Sequence, residues 1–178
     1  NSSAENHCTI FTIAESPRNG SVLWVGTDDG NLQRTTDGGD TWLRVEPPTT
    51  LLPKGTWVSS VEPSLHNEAT CFVTFDGHMG GDMKPYVART TDHGGTWAML
   101  STADVKGYAH IIRQDPIRPN ILYLGTEWGL WISLDAGASW AAFRNNLPIA
   151  AVRDITFQMR DHALAIATHG RGIYLIDE

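Results

Sequence analysis

The chain has 178 residues, with 13 lysines and arginines against 20 aspartates and glutamates, and its formal net charge is −7. This length is typical of a single domain with a buried core. A chain that is acidic and has no basic run is not expected to bind nucleic acid, and its short apolar runs cannot cross a bilayer as helices.

Short β-branched and aromatic segments bounded by glycine and aspartate recur along the chain and predict strands rather than helices. The first unit of strands is predicted at 9–14, 22–26, 32–35 and 42–45. The second is predicted at 57–61, 70–75, 86–89 and 97–100, and the third at 110–113, 121–125, 130–132 and 140–143. The fourth has only three strands, at 153–158, 163–167 and 172–176. Repeated four-stranded antiparallel units are typical of propeller blades.

An octapeptide of the pattern Ser/Thr-x-Asp-x-Gly-x-Ser/Thr-Trp occurs at 35–42, 90–97 and 133–140, each time between the third and fourth strands of a unit. The aspartate can accept hydrogen bonds from downstream amides, the glycine permits a positive φ, and the tryptophan can anchor the turn between blades. A calcium site is the alternative, but one constant carboxylate per copy falls short of the roughly six to eight oxygens that Ca²⁺ takes. We therefore expect a structural role for Asp37, Gly39, Trp42, Asp92, Gly94, Trp97, Asp135, Gly137 and Trp140.

These repeats resemble the Asp-box (BNR-repeat) propellers, which include sialidases, two-propeller xyloglucan hydrolases and the sortilin ectodomain. The sequence is most similar to bacterial sortilin-like propeller proteins labelled glycosyl hydrolases, through the stretches 75–78 with 84–86, 115–120 and 167–172. The resemblance covers nearly the whole chain and implies an all-β propeller fold. The Arg-Ile-Pro stretch of the sialidases is absent, so sialidase activity is not expected. We expect a secreted or periplasmic location.

The predicted units form one partial propeller over 1–178, with blades at about 8–46, 57–102, 109–145 and 152–178, or three and three-quarter blades. An open arc of blades leaves strand edges and apolar faces uncovered. We expect the remainder of a longer polypeptide, or a second copy of the chain, to complete the ring. The longer polypeptide is favoured because the sequence stops on a strand. In either case the outer strand of the fourth blade has to come from elsewhere.

The second strands of the four units end on polar residues at aligned positions, namely Asp28, Asp76, Glu127 and His169. In a propeller these ends open loops towards the mouth of the central channel, where paired carboxylates can act as acid and base on a sugar. The candidate catalytic residues are therefore Asp28, Asp76 and Glu127. The alternative is that these acids only cap the turns between strands.

The second unit has a longer loop after its second strand, which adds the segment 77–84 with His78, Asp82 and Lys84. A loop lengthened on one blade is a common place for function. The candidate ligand-binding residues are Asp28, Asp76, His78, Asp82, Lys84, Tyr108, Glu127, Trp128, His169 and Arg171. A metal site on His78 and Asp82 is not favoured, because i, i+4 spacing brings side chains together only on a helix and the glycines oppose one. No metal or cofactor is expected.

Two cysteines, Cys8 and Cys71, allow at most one disulfide, and two buried thiols on strands are the favoured interpretation. No serine, cysteine or zinc hydrolase motif is present.

Three classes of function remain open. They are a binding module for a glycan or a peptide, a glycoside hydrolase, and a protein–protein scaffold without a small ligand. Binding is favoured because no catalytic signature is complete. The acidic mouth favours neutral sugars or basic peptide segments.

Overall fold

The computed structural model describes residues 8–48, 50–100, 102–160 and 163–177. In these ranges the chain is almost entirely β, with a single turn of 3₁₀ helix at His78–Gly80. The strands of the first two blades are β1 Ile10–Ser16, β2 Asn19–Thr27, β3 Leu32–Thr35, β4 Leu43–Arg44, β5 Trp57–Pro63, β6 Cys71–Asp76, β7 Tyr86–Thr90 and β8 Ala98–Met99. Those of the last two blades are β9 Ala109–Gln114, β10 Leu122–Thr126, β11 Gly129–Ser133, β12 Ala141–Phe143, β13 Val152–Gln158, β14 Ala163–Thr168 and β15 Gly172–Ile176.

The strands form four antiparallel sheets in which neighbours along the chain are neighbours in the sheet: β1 to β4, β5 to β8, β9 to β12, and β13 to β15. This confirms the prediction of an all-β partial propeller whose last blade has three strands. The outer strands β4, β8 and β12 are shorter than predicted and begin after the tryptophan of each octapeptide.

Successive blades pack through their first strands, β1 on β5, β5 on β9 and β9 on β13. Within the described ranges, β1 and β13 make no contact of similar extent, so the four blades form an arc. Three apolar cores fill the spaces between consecutive blades. The cores form because alternate residues of each second strand point to the blade before and the blade after.

Close packing between blades depends on small residues in the second strands. A Cβ added to Gly26 would overlap the Val58 side chain of the next blade, and one added to Gly125 would meet Val152. In blade 2 the same position is Thr74, whose hydroxyl lies 2.9 Å from Ser59 Oγ and donates to the carbonyl of His110. Glycine or threonine at this position therefore sets the spacing of the inner strands.

Each octapeptide is a closed turn held by its own aspartate. Asp92 Oδ1 accepts from the Thr90 hydroxyl and the Thr96 amide, both at 2.8 Å, while Oδ2 accepts from the Thr96 hydroxyl at 2.7 Å. Gly94 has the left-handed φ of 87° that completes the turn. The same bonds recur around Asp37 and Asp135. They stabilise the carboxylate form and lower the pKa of Asp92 and of Asp135 to about 2.

The octapeptide tryptophans differ in what they contact. Trp97 and Trp140 pack against the preceding blade, and Trp140 is only 7% exposed. Trp42 belongs to the first blade, has no blade in front of it in the described chain, and is 39% exposed. The expected anchoring between blades therefore does not apply to Trp42.

The two cysteines are both free thiols in different surroundings. Cys71 is buried in β6, and burial raises the pKa of its thiol well above the ordinary value. Cys8 is exposed and precedes β1 with a φ of 99°, so the expectation of two buried thiols is wrong for Cys8. None of the described segments forms a helix with the length and apolar character needed to span a membrane.

Candidate functional site at the channel mouth

The first strand of each blade has an irregularity at an equivalent position near its beginning, where its pairing with the second strand of the blade is interrupted. The pairing skips one residue in β1, β5, β9 and β13. The skipped residues are Phe11, Ser59, His110 and Arg153. A bulge of this kind takes a side chain out of the alternation between the two faces of a sheet. Phe11, His110 and Arg153 are thereby directed to the channel mouth, whereas the Ser59 hydroxyl bonds the next blade.

The aligned ends of the second strands occupy equivalent positions around the mouth. Three of them donate a backbone hydrogen bond to the residue directly before the first strand of the same blade: Asp28 to Thr9, Glu127 to Tyr108, and His169 to Ala151. Asp76 pairs with Trp57 in the ladder. The four side chains nevertheless have different partners, because the residues brought against them by the first strands differ.

Asp76 is the most buried of these acids, at 4% exposed. Its Oδ1 accepts from the backbone amide of His78 at 2.9 Å and lies 2.7 Å from His78 Nδ1. Its Oδ2 lies 3.7 Å from Nδ1 of His110, which comes from blade 3. The 3₁₀ turn in the lengthened loop is what folds the His78 ring back onto Asp76.

Tyr108 connects Asp76 and His78 to Glu127. The His78 ring stacks on Tyr108 with centroids 4.5 Å apart and planes 16° apart, and the Tyr108 hydroxyl donates to Glu127 Oε2 at 2.7 Å. Burial, and then the hydrogen bond to Glu127, raises the pKa of Tyr108 to about 12. Tyr108 is thus a fixed hydrogen-bond donor at neutral pH.

His110 lies at the centre, with the edge of Tyr108 against its ring at 4.7 Å. Its Nε2 is 4.0 Å from Glu127 Oε2, and the Arg153 guanidinium contacts the same nitrogen. Arg153 also lies 3.7 Å from Glu127 Oε2. Burial, followed by the charge of Arg153 and the proximity of His78, lowers the pKa of His110 to about 3, so His110 is neutral at pH 7. We call Asp76, His78, Tyr108, His110, Glu127 and Arg153 the mouth cluster.

A cleft of about 680 Å³ opens beside the mouth cluster, between blades 1 and 2. Two of its walls are the rings of Phe11 and Trp57, which meet edge to face with centroids 4.5 Å apart. Its charged lining residues are Asp28, Asp76, Asp82 and Lys54. We call this space the mouth cleft. It combines apolar walls with an excess of carboxylates, as ligand sites commonly do.

Two carboxylates of the mouth cleft already have local partners. Asp28 Oδ1 accepts from the amides of Cys8 and Thr9, both at 2.9 Å, and thus caps the entry to β1. Asp82 accepts from the Tyr86 hydroxyl at 2.8 Å and from the Lys84 amide at 3.1 Å. Among the described residues, Asp28 Oδ2 has no hydrogen-bond partner.

The other sequence candidates lie outside this group. Lys84, Trp128, His169 and Arg171 are exposed, and none of them lines the mouth cleft. His78 and Asp82 bind different partners, and among the described residues no group of three or more His, Cys, Asp or Glu side chains is arranged to hold a metal ion. Sequence reasoning missed Phe11 and Arg153. No sequence pattern marks them, because the extra residue in each first strand is seen only in the pairing of the strands.

No protein-family model and no curated protein matches the sequence. The fold is similar to solved structures. A structure of YCF48 bound to D1 peptide is 18% identical, with a TM-score of 0.67, over 95% of this chain and 52% of that one. A second YCF48 structure, from Cyanidioschyzon merolae, is 16% identical, with a TM-score of 0.66, over 94% and 52%. The GH74 xyloglucanase from Xanthomonas campestris is 15% identical, with a TM-score of 0.75, over 95% and 29%.

This chain therefore spans about half the length of the YCF48 structures and under a third of the xyloglucanase. At these identities the similarity establishes a propeller fold and no activity.

Proposed function

We propose that this chain is the ligand-binding part of a propeller, and that the mouth cleft binds an extended peptide through a basic side chain. The observation that carries the proposal is the pairing of aromatic walls with carboxylates in one cleft. Phe11 and Trp57 provide the walls, and Asp28 and Asp76 lie beside them. Lys54 is the only cation among the residues that line the described cleft.

A lysine or arginine side chain satisfies both features at once. Its methylene stem packs on an aromatic wall, and its charge lies within reach of the ring faces and the carboxylates. A cation over an aromatic ring contributes about 0.5–2 kcal/mol, depending on how far it is removed from water. The Oδ2 atom of Asp28, which has no hydrogen-bond partner among the described residues, is the proposed acceptor for such a group. One of the similar propellers is bound to a peptide, which supports this class of ligand.

The test is a pair of peptide libraries that differ only in lysine or norleucine at one position. Lysine peptides should bind at least about tenfold more tightly, which corresponds to about 1.4 kcal/mol, and the difference should shrink as salt is added. Trp57→Ala and Asp28→Asn should each remove most of this preference. The matched controls are Trp42→Ala and Asp40→Asn, which change the same residue types in an octapeptide.

Two outcomes would overturn the peptide proposal. One is equal affinity for the lysine and norleucine peptides. The other is a loss of binding in the octapeptide controls as large as in the cleft variants. Binding on a neutral-glycan array with no peptide binding would assign the cleft to sugars instead, since an aromatic wall beside carboxylates also suits a sugar face. Binding of neither class would favour the scaffold.

A glycoside hydrolase is the second candidate, because Asp76 and Glu127 approach the same imidazole, that of His110. A pair of carboxyl groups facing one site is the set of residues that this chemistry uses. A polysaccharide hydrolysis screen should then show activity that Asp76→Asn and Glu127→Gln both abolish. Activity that persists in both variants would exclude these residues as the pair.

We also propose that further blades cover the two uncovered ends of the arc, from the rest of a longer polypeptide in preference to a second copy. The first blade leaves Ile10, Ile13 and Trp42 exposed, and the fourth leaves Ile173 and Leu175 exposed. Faces of this kind are covered by a neighbouring blade elsewhere in the arc. A dimer whose population rises with concentration in sedimentation experiments would instead favour the second copy.

A further inference from the structure

The surface that receives an octapeptide occurs once on each complete blade. On blade 1 it consists of Trp24 and Val45. The ring of Trp97 lies 6.3 Å from that of Trp24, and its indole N–H donates to the Val45 carbonyl at 2.7 Å. A Cβ added to Gly94 would come within 2.8 Å of Val45 Cβ, so only glycine allows this approach.

Blade 2 receives the next octapeptide through equivalent apolar residues, although the indole N–H of Trp140 has no hydrogen-bond partner among the described residues. Trp140 is buried in the core that contains Phe72 and Leu100. A Cβ added to Gly137 would come within 2.5 Å of Leu100 Cδ1. Phe72 holds the strand position of Trp24, and Leu100, like Val45, is the third residue after its tryptophan. The receiving surface is thus a pair of residues, one in the second strand and one at the end of the outer strand or directly after it.

Blade 3 carries the same pair, and a cavity lies over it. Tyr123 holds the position of Trp24 and Phe72, and Phe143 is the third residue after Trp140. Both line a cavity of about 420 Å³ together with Ile132, Phe157 and Leu164. We call this cavity the indole groove. The Phe157 ring closes one side, 5.4 Å from the ring of Tyr123.

Beside the indole groove, the last blade presents the outer edge of a strand, with no further strand next to it among the described residues. β15 is the edge strand of the three-stranded sheet in the described chain. Its side chains Ile173 and Leu175 are 73% and 70% exposed. A second cavity of about 240 Å³, lined in part by Phe143 and Tyr174, runs along the same strand. An uncovered sheet edge is a template for strand addition.

We infer that the indole groove and the edge of β15 bind a further segment with the octapeptide pattern. The inference rests on the longer polypeptide proposed above, which supplies that segment. Its glycine lies against Phe143, its tryptophan lies against Tyr123, and the strand that follows pairs with β15. The occupant is identified by the two complete copies of the interface, where glycine and tryptophan are the residues in contact. This site is at the opposite end of the strands from the mouth cleft, and it does not depend on the proposed ligand.

The test uses the 178-residue chain and a synthetic peptide with the sequence of residues 89–100, which includes an octapeptide and its outer strand. Its binding is measured by calorimetry, and protection of β15 is measured by amide hydrogen exchange. Because a free linear peptide loses conformational entropy, we expect binding no tighter than about micromolar. The amides of Gly172–Ile176 should gain protection.

Matched peptides test the two contacts separately. Replacing the peptide's tryptophan by alanine, or its glycine by valine, should weaken binding at least about tenfold each, since the first removes a buried indole and the second introduces a clash. Equal binding of the alanine peptide, no binding of the parent peptide, or protection at a strand other than β15 would overturn the inference.

Variants of the chain test whether the peptide binds in the indole groove. Ile132→Trp fills the indole groove and should abolish peptide binding, while Ile13→Trp changes the same residue type on blade 1 and should leave it intact. Phe143→Ala serves if Ile132→Trp fails to fold, and it should weaken binding at least about tenfold. Trp57→Ala should have no effect on this peptide, which separates the groove from the mouth cleft. Unchanged binding by Ile132→Trp and Phe143→Ala would also overturn the inference.

Discussion

Acidic side chains lie at both ends of the strands, and the two ends use them in opposite ways. In the octapeptide turns, Asp92 is exposed and all its partners lie within four residues in sequence. At the mouth, Asp76 is buried and its second oxygen faces His110, a residue of another blade. The octapeptide aspartates therefore stabilise local turns. The mouth cluster instead exists only when three blades are assembled.

The two ends also differ in the charge state that they stabilise. Hydroxyl and amide donors hold the octapeptide aspartates ionised, which lowers the pKa of Asp92 to about 2. At the mouth, burial is the largest cause of both pKa shifts, and it favours the neutral forms of His110 and Tyr108. Changes at the octapeptide end should therefore affect stability alone, and changes at the mouth should affect both pH dependence and binding.

The largest expected effect is a difference in stability between two tryptophans of the octapeptides, Trp140 and Trp42. Trp140→Ala should lower the free energy of unfolding by about 3–5 kcal/mol, because it empties a buried site between blades. Trp42→Ala should cost under about 1 kcal/mol, since its ring is partly exposed and no blade lies in front of it. Urea unfolding of the two variants measures the difference. Equal losses would show that Trp42 is anchored after all.

The next effect is a pH dependence that belongs to the mouth. The folded pKa of His110, about 3, lies below the unfolded value near 6.5, so its neutral form stabilises the fold fully above about pH 6.5. As pH falls from 6.5 towards 3, the unfolded chain gains a proton that the folded chain does not. The protonation of His110 in the unfolded chain should therefore lower the free energy of unfolding by about 2 kcal/mol when the pH falls from 7 to 5.

The matched variant for this pH effect is His110→Asn, which should lose that part of the slope. Glu62 acts in the opposite direction, because burial raises its pKa to about 7 despite Arg113 at 3.1 Å. Its contribution is common to both proteins and cancels in their difference. Identical slopes in the two proteins would contradict a neutral His110.

The smallest effect tests whether the octapeptide end is independent of the mouth. Asp92→Ala removes the acceptor of three turn bonds and should lower the Tm by about 2–4 °C. Affinity for any ligand of the mouth cleft should stay within about twofold, because distant sites act additively. A stable Asp92→Ala variant that no longer binds would mean that the octapeptides contact the ligand.

The fold could be predicted because its signals are local. Each octapeptide marks the turn from third to fourth strand, and the apolar run before Asp28 is repeated before Asp76 and Glu127. The aligned carboxylates could be predicted for the same reason. Their partners could not, because the stacking of His78 on Tyr108 depends on a 3₁₀ turn in the lengthened loop and on contacts between blades.

Phe11 and Arg153 were missed for a different reason. An irregularity adds one residue to a strand without changing its apolar composition, so periodicity alone does not show it. Only the pairing of β1 with β2 and of β13 with β14 shows that these residues lie outside the alternation.

The bulges have a consequence for how the mouth can vary. A residue that stands outside the alternation of a strand is released from the packing that fixes its neighbours, so its chemistry can change while the blades stay the same. Phenylalanine, serine, histidine and arginine already occupy this one geometric position in the four blades. A combinatorial library at Phe11, His110 and Arg153, with Ser59 kept for its bond to the next blade, would therefore change the specificity of the mouth while the blades stay the same.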